Sequence, residues 1–216
     1  MCPVSAVEYE KQIAMIELLS KVFKPDDLEA MERLAGIKSR STGLSYDFYI
    51  SQILEVLRTR HNAVVGDIPD HELRRVISIV DIVGVESHGL MKRLASACLG
   101  CGWCCAQTKS IHVFPDDVDR ISRKLKLKKE DLFDLRAGQW FMKQANPCRW
   151  WNQRTGRCSI YSIRPRTCRD WPLAENLEHK HTLVAAADCH YSVGVMVFKV
   201  LGTLALARGD SSSPAP

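Results

Sequence analysis

The residues with the most chemistry in them are cysteines. Cys98, Cys101, Cys104 and Cys105 fall in the run Cys-Leu-Gly-Cys-Gly-Trp-Cys-Cys, four thiols in eight residues. A buried free cysteine can pack as a small hydrophobe, but packing does not call for this density. Soft thiolates at such spacing favour zinc or an iron–sulfur cluster. Three steps of this kind can place three thiolates around one four-iron cluster, with a distant cysteine completing it. Gly100 and Gly102 remove Cβ atoms where the loop must wrap tightly.

A second region, Pro147 to Pro172, adds Cys148, Cys158 and Cys168. Trp150 and Trp151, then Asn152 to Gly156, then Cys158 to Tyr161 read as a β-hairpin that brings Cys148 and Cys158 together. Pro165 predicts a helix start with Cys168 in its first turn, where free N–H groups and the helix dipole favour a thiolate. Arg149, Arg154, Arg157, Arg164, Arg166 and Arg169 stand here against Asp170 alone. Thiolate-bound metal carries negative charge, which needs a partner when buried. Arg164 and Arg169 are the arginines assigned to the site. Cys189 follows an apolar stretch and makes eight cysteines between residues 98 and 189. Eight thiols suffice for two tetrahedral four-sulfur sites, or for one four-iron cluster and a second site.

Other elements must position these residues. The chain has 216 residues, 46% of them hydrophobic and 25% charged, with a formal charge of +5. That composition allows a proper core, and a mild basic excess does not demand nucleic acid. Nine cysteines are too few for a disulfide scaffold of this length. The first residues contain early acids and no apolar core of a signal peptide, so the expected compartment is the reducing cytoplasm, where metal binding outranks disulfides.

Residues 1–95 predict a helical domain. Helices are expected from Ser5 to about Phe23, from Asp26 to a stop at Gly36, from Ser45 through Ile50, Ile53, Leu54 and Leu57, from Asp70 through Leu73, Val76, Ile77 and Val80 to about Gly84, and from Ser87 into Cys98. Lys38 to Gly43 reads as a loop. His61, His71 and His88 are isolated and read as structural or solvated. Residues 96–190 form the predicted cysteine domain, with a short strand at Ile111–Phe114, a helix opened by Pro115-Asp116-Asp117 and containing Val118, Ile121 and Leu125, and a short helix from Lys129 to about Gly138. The basic residues Arg120, Arg123, Lys124, Lys126, Lys128 and Lys129 have no interleaved aromatic platform and read as a solvated face.

Residues 191–216 comprise an apolar helix, Tyr191 to Ala207, and a polar tail. The helix is at the short limit for a membrane span and has Lys199 at its middle, which costs about 2.5–3.5 kcal/mol on insertion scales. A helix buried in the protein or at a dimer interface is therefore favoured over a membrane segment. The expected class is mainly α with a small β-hairpin, a helical N-terminal domain packed on a cysteine-rich metal-binding domain, and an apolar C-terminal helix.

The spacing Cys-x2-Cys-x2-Cys-Cys, then Cys148, then Cys158-Ser-Ile-Tyr-Ser-Ile-Arg-Pro-Arg-Thr-Cys168-Arg-Asp-Trp-Pro, resembles the YkgJ-type, or CxxCxxCC, family of zinc- or iron-chelating cysteine-cluster proteins. The resemblance covers roughly residues 96–190. It implies that all eight cysteines are metal ligands: Cys98, Cys101, Cys104, Cys105, Cys148, Cys158, Cys168 and Cys189. Within this broad group, flagellin lysine methylases use an iron–sulfur cluster with a methyl donor, but this sequence has no Gly-rich strand–helix loop to cradle a nucleotide.

Three functions are compatible with these residues. The first is a 4Fe-4S protein that transfers electrons, or delivers cluster or metal, to a protein partner. The second is a zinc-stabilised interaction module in which metal supplies folding energy. The third is a cluster-dependent redox or methyl-transfer enzyme, for which His112, His190, Asp170 and Tyr161 are the available acids and bases. The three-step run favours iron.

Overall fold

Apolar residues recur at helical spacing within 25–82 and 190–208, and both stretches fold as helices. The computed structural model describes residues 19–42, 44–82, 98, 100–175 and 181–209. Expected helices at Ser5–Phe23, for all but its end, and from Ser87 lie outside them, as does the stop at Gly84. The chain divides into two compact units, residues 1–94 with 175–216, and residues 95–174.

In the helical unit, α1 (Pro25–Thr42), α2 (Leu44–Arg60), the single-turn α3 (Asn62–Val65), α4 (Asp70–Ile82) and α9 (His190–Arg208) follow the chain. α1 packs on α4, and α2, α4 and α9 pack on one another. Their shared core contains Tyr49, Ile53, Leu57, Leu73, Val76, Ile77, Val195, Met196, Val200 and Leu204. The Tyr49 hydroxyl lies 3.2 Å from both the hydroxyl and the carbonyl oxygen of Ser192, tying α2 to α9.

α9 is long and apolar enough to cross a membrane, but 56% of its apolar window is buried inside the protein. It is a core helix of this unit. α1 does not stop at Gly36 but runs on through the expected loop. The buried Ala35 and an ion pair from Arg75 of α4 to Glu32 hold this stretch against its neighbour, and packing overrides the glycine's weak helix preference.

The cysteine unit is built from α5 (Trp103–Gln107), β1 (His112–Val113), α6 (Pro115–Leu125), α7 (Lys129–Leu132), β2 (Phe133–Arg136), β3 (Gln139–Met142), a 3₁₀ turn at Tyr161–Ile163 and α8 (Arg166–Asp170). Short strands β4 (Leu173–Glu175) and β5 (His181–Leu183) lead towards α9. β1, β3 and β2 form an antiparallel sheet in that order, with Phe133 opposite Met142 and His112 opposite Phe141.

The helix expected to reach Gly138 therefore ends at Leu132. Ala137 and Gly138 both take positive φ, 48° and 78°, the two-residue turn that suits a hairpin's twist. The hairpin expected around Asn152 is reduced to one bridge, Trp151 to Cys158, because the Asn152 side chain accepts from the N–H groups of Arg154 and Thr155 and closes a tight local turn.

Leu57 is fully buried between α2 and its neighbours. Leu57→Ala is expected to cost roughly 2–5 kcal/mol, measured as a lower denaturant midpoint for loss of helical circular dichroism.

Candidate metal centre

Two chain segments about forty residues apart build the centre. The first is α5 and the loop before it. Gly102 caps α5 with φ 79°, and a Cβ there would lie 2.2 Å from the carbonyl oxygen of Gly156 and 2.3 Å from Nε1 of Trp151. The loop before α5 therefore rests directly on the Asn152–Gly156 turn, and only glycine fits both the space and the dihedral. The second segment enters through Cys148, whose N–H donates to the carbonyl of Cys105 at 3.0 Å. That bond sets the two cysteine runs side by side.

The result is a cavity of about 80 Å³ lined by Cys104, Cys105, Cys148, Cys158 and Cys168, with Arg164 and Trp171 at its wall. Five thiols thus share one space. Cys98 is half-buried and Cys101 exposed; both precede α5 and neither lines the cavity. Cys189 is buried in the helical unit, where it caps α9 beside Tyr49. Among the described residues, no three Cys, His, Asp or Glu side chains have the ready-made spacing of a single-ion site.

The five sulfurs differ in acidity for physical reasons. The S–H of Cys105 is shared with Cys104, Cys148 and Cys158, which pushes the Cys105 thiol far up. The same hydrogen bonds draw its three neighbours down: Cys104 to about 7, Cys148 to about 7 and Cys158 to about 6. The Arg164 guanidinium further favours the thiolates of Cys104 and Cys158. Cys168 is pushed up to about 12 by burial first and then by the neighbouring sulfurs. It does lie at the expected helix start, but its own N–H is committed to the Pro165 carbonyl at 3.0 Å, and desolvation outweighs the dipole of a five-residue helix.

Arg164 is held firmly. Its guanidinium lies 3.7 Å over the Tyr161 ring. Arg120 donates to the carbonyls of Ile163 and Arg164, each at 3.0 Å. The buried carboxylate of Asp117 accepts from Arg120 at 2.5 Å and from the N–H of Arg166 at 2.6 Å. Arg169 stands half-exposed, 3.8 Å from the same carboxylate, and is not part of the cavity wall.

Asp117 and Arg120 are thus supports that sequence reasoning passed over. Asp117 reads there only as an acid at a helix start, and Arg120 as part of a solvated face. His112 packs edge-on against Phe114 and Phe141, and His190 is exposed on the helical unit. Tyr161 serves as the platform beneath Arg164, and Asp170, half-buried in α8, does not line the cavity.

The donor set suits a thiophilic metal group. All five cavity ligands are sulfur, three of them acidic enough to be thiolates near neutrality, with a fixed cation beside them. Arg164 and Trp171, which line the cavity, each have a buried side-chain N–H without an acceptor, Nε and Nε1, a feature that suits an anionic guest. Residues 97–190 match the family model CxxCxxCC, described as "Putative zinc- or iron-chelating domain". No curated protein and no solved structure matches the chain.

Two outcomes are expected. Gly102→Ala should lower bound metal severalfold and destabilise the cysteine unit by on the order of 1–3 kcal/mol, read by metal analysis and thermal melting. In metal-free protein, alkylation of Cys104, Cys148 and Cys158 should rise with pH to half its plateau near 6–7. An ordinary thiol is largely protonated, and so slow, at that pH; peptide mapping across a pH series locates each midpoint.

Proposed function

From a chain that carries a CxxCxxCC domain over residues 97–190, we infer a 4Fe-4S protein that passes electrons, or the cluster itself, to a protein partner. Convergence of five thiols on one cavity carries this reading. A zinc ion and a four-iron cluster each take four thiolates, but a single ion fills little space, whereas this cavity has room for several water-sized groups. When bound, such a cluster supplies reversible one-electron chemistry at a potential tuned by its surroundings.

The chain's own residues bind, orient and shield. Cys104, Cys148 and Cys158 offer thiolates, and Cys168 or Cys105 gives up its proton to complete the set, so loading releases protons. Arg164 offsets the accumulated negative charge. Ile111, Met142, Trp150 and Ile160 line the apolar wall and limit water. In this reading Cys98 and the exposed Cys101 receive or hand on a metal group by thiolate exchange. Cys189 lies within the matched span but does not line this cavity.

Anaerobic purification with metal and acid-labile sulfide analysis tests the reading. Iron and sulfide in equal amounts, with broad visible charge-transfer absorption, are expected. Cys104→Ser and Cys158→Ser should each lose most of the iron, and Cys2→Ser should lose none. Stoichiometric zinc without sulfide in the wild type would overturn the iron assignment in favour of a zinc-stabilised module.

A further inference from the structure

Four side-chain polar atoms of the cysteine unit are buried without a hydrogen bond: Ser122 Oγ, Trp151 Nε1, Arg164 Nε and Trp171 Nε1. Three are N–H donors, and two of these belong to residues that line the thiol cavity. Leaving one such donor unsatisfied costs roughly 1–3 kcal/mol, so their concentration at one place calls for an acceptor there. Trp151 Nε1 lies against Gly102, and Trp151 does not line the cavity. Arg164 and Trp171 are different, because both line the cavity.

Neither donor reaches a cysteine sulfur, although both stand among five. Neither is free to swing to another acceptor. Arg164 is stacked on Tyr161, and the backbone of its segment is pinned by Arg120 and Asp117. The Trp171 ring lies 6.3 Å from that of Trp103, the residue before Cys104, and Trp171 itself directly follows α8, which carries Cys168. Both donors are therefore fixed on the elements that carry the thiols. A bare zinc ion brings no acceptor of its own, since its ligands are the protein's sulfurs. An iron–sulfur core brings inorganic sulfides, and hydrogen bonds to cluster sulfurs set its potential.

We propose that Trp171 Nε1–H and Arg164 Nε–H donate hydrogen bonds to the inorganic sulfides of the bound cluster and raise its reduction potential. This rests on the iron–sulfur reading above. An added electron increases the negative charge on sulfide, so each N–H stabilises the reduced form more than the oxidised one. Trp171 and Arg164 are tuning residues, and the thiolates remain the ligands.

Trp171→Phe keeps an aromatic ring and deletes the N–H. In protein purified anaerobically, the variant is expected to keep its iron and sulfide. Its midpoint potential should fall by about 59 mV, a tenfold change in a one-electron equilibrium. An unchanged potential at full cluster content overturns the hydrogen bond while leaving the cluster reading intact. Zinc without sulfide in the wild type overturns both. Should the variant lose its cluster, protein grown with ¹⁵N-indole tryptophan decides: pulsed electron paramagnetic resonance of the reduced cluster is expected to show a ¹⁵N coupling that Trp103→Phe, Trp150→Phe and Trp151→Phe each leave in place, and its absence rejects the proposal.

Discussion

Five sulfur atoms facing one cavity cannot all be charged at once. Like charges in a partly desolvated space repel, and the protein divides protons unequally among them. Cys105 keeps its hydrogen and shares it with three neighbours, Cys168 is held protonated by burial, and Cys104, Cys148 and Cys158 are left acidic. Much else in the unit serves this arrangement. Arg164 adds a cation that cannot lose its proton, and the apolar wall sharpens every electrostatic interaction within it.

Holding Arg164 in place is itself a structural task, and it falls to a buried carboxylate. Asp117 opens α6, where an acid suits the helix start, yet its oxygens also reach the Arg120 guanidinium and the Arg166 amide. One side chain thereby couples a helix end to the segment that carries Arg164 and Cys168. A buried acid left without such partners would be strongly destabilising. Here the pair is nearly shielded from solvent on one side, with Asp117 6% exposed and Arg120 31%, so it does more than a surface ion pair.

Much of this was legible in the residues themselves. The apolar periodicities of α2, α4 and α9 predict their helices, and Pro115 followed by two aspartates predicts α6. The cysteine spacing points to metal, and the meeting of Cys148 and Cys158 follows from the turn residues between them. What was not legible depends on long-range packing. Gly36 looks like a stop until α4 covers that stretch of α1. Phe133 to Gly138 reads as a helix tail until the positive φ of Ala137 and Gly138 turns the chain into a hairpin. The spacing also could not say that the second and third cysteines of the Cys98–Cys105 run would part company. α5 begins at Trp103, so Cys104 and Cys105 turn inward while Cys101 stays on the loop outside.

The bond from the Cys148 amide to the Cys105 carbonyl joins stretches that a ribosome delivers at different times. Sixty-three residues separate Cys105 from Cys168, a lag of roughly 3 to 13 seconds at ordinary translation speeds of about 5–20 residues per second. During that interval the earlier thiols are in the cell without their partners. Nascent chains of this protein thus pass through a stage vulnerable to oxidants and to stray ions, which ends only when α8 has been synthesised.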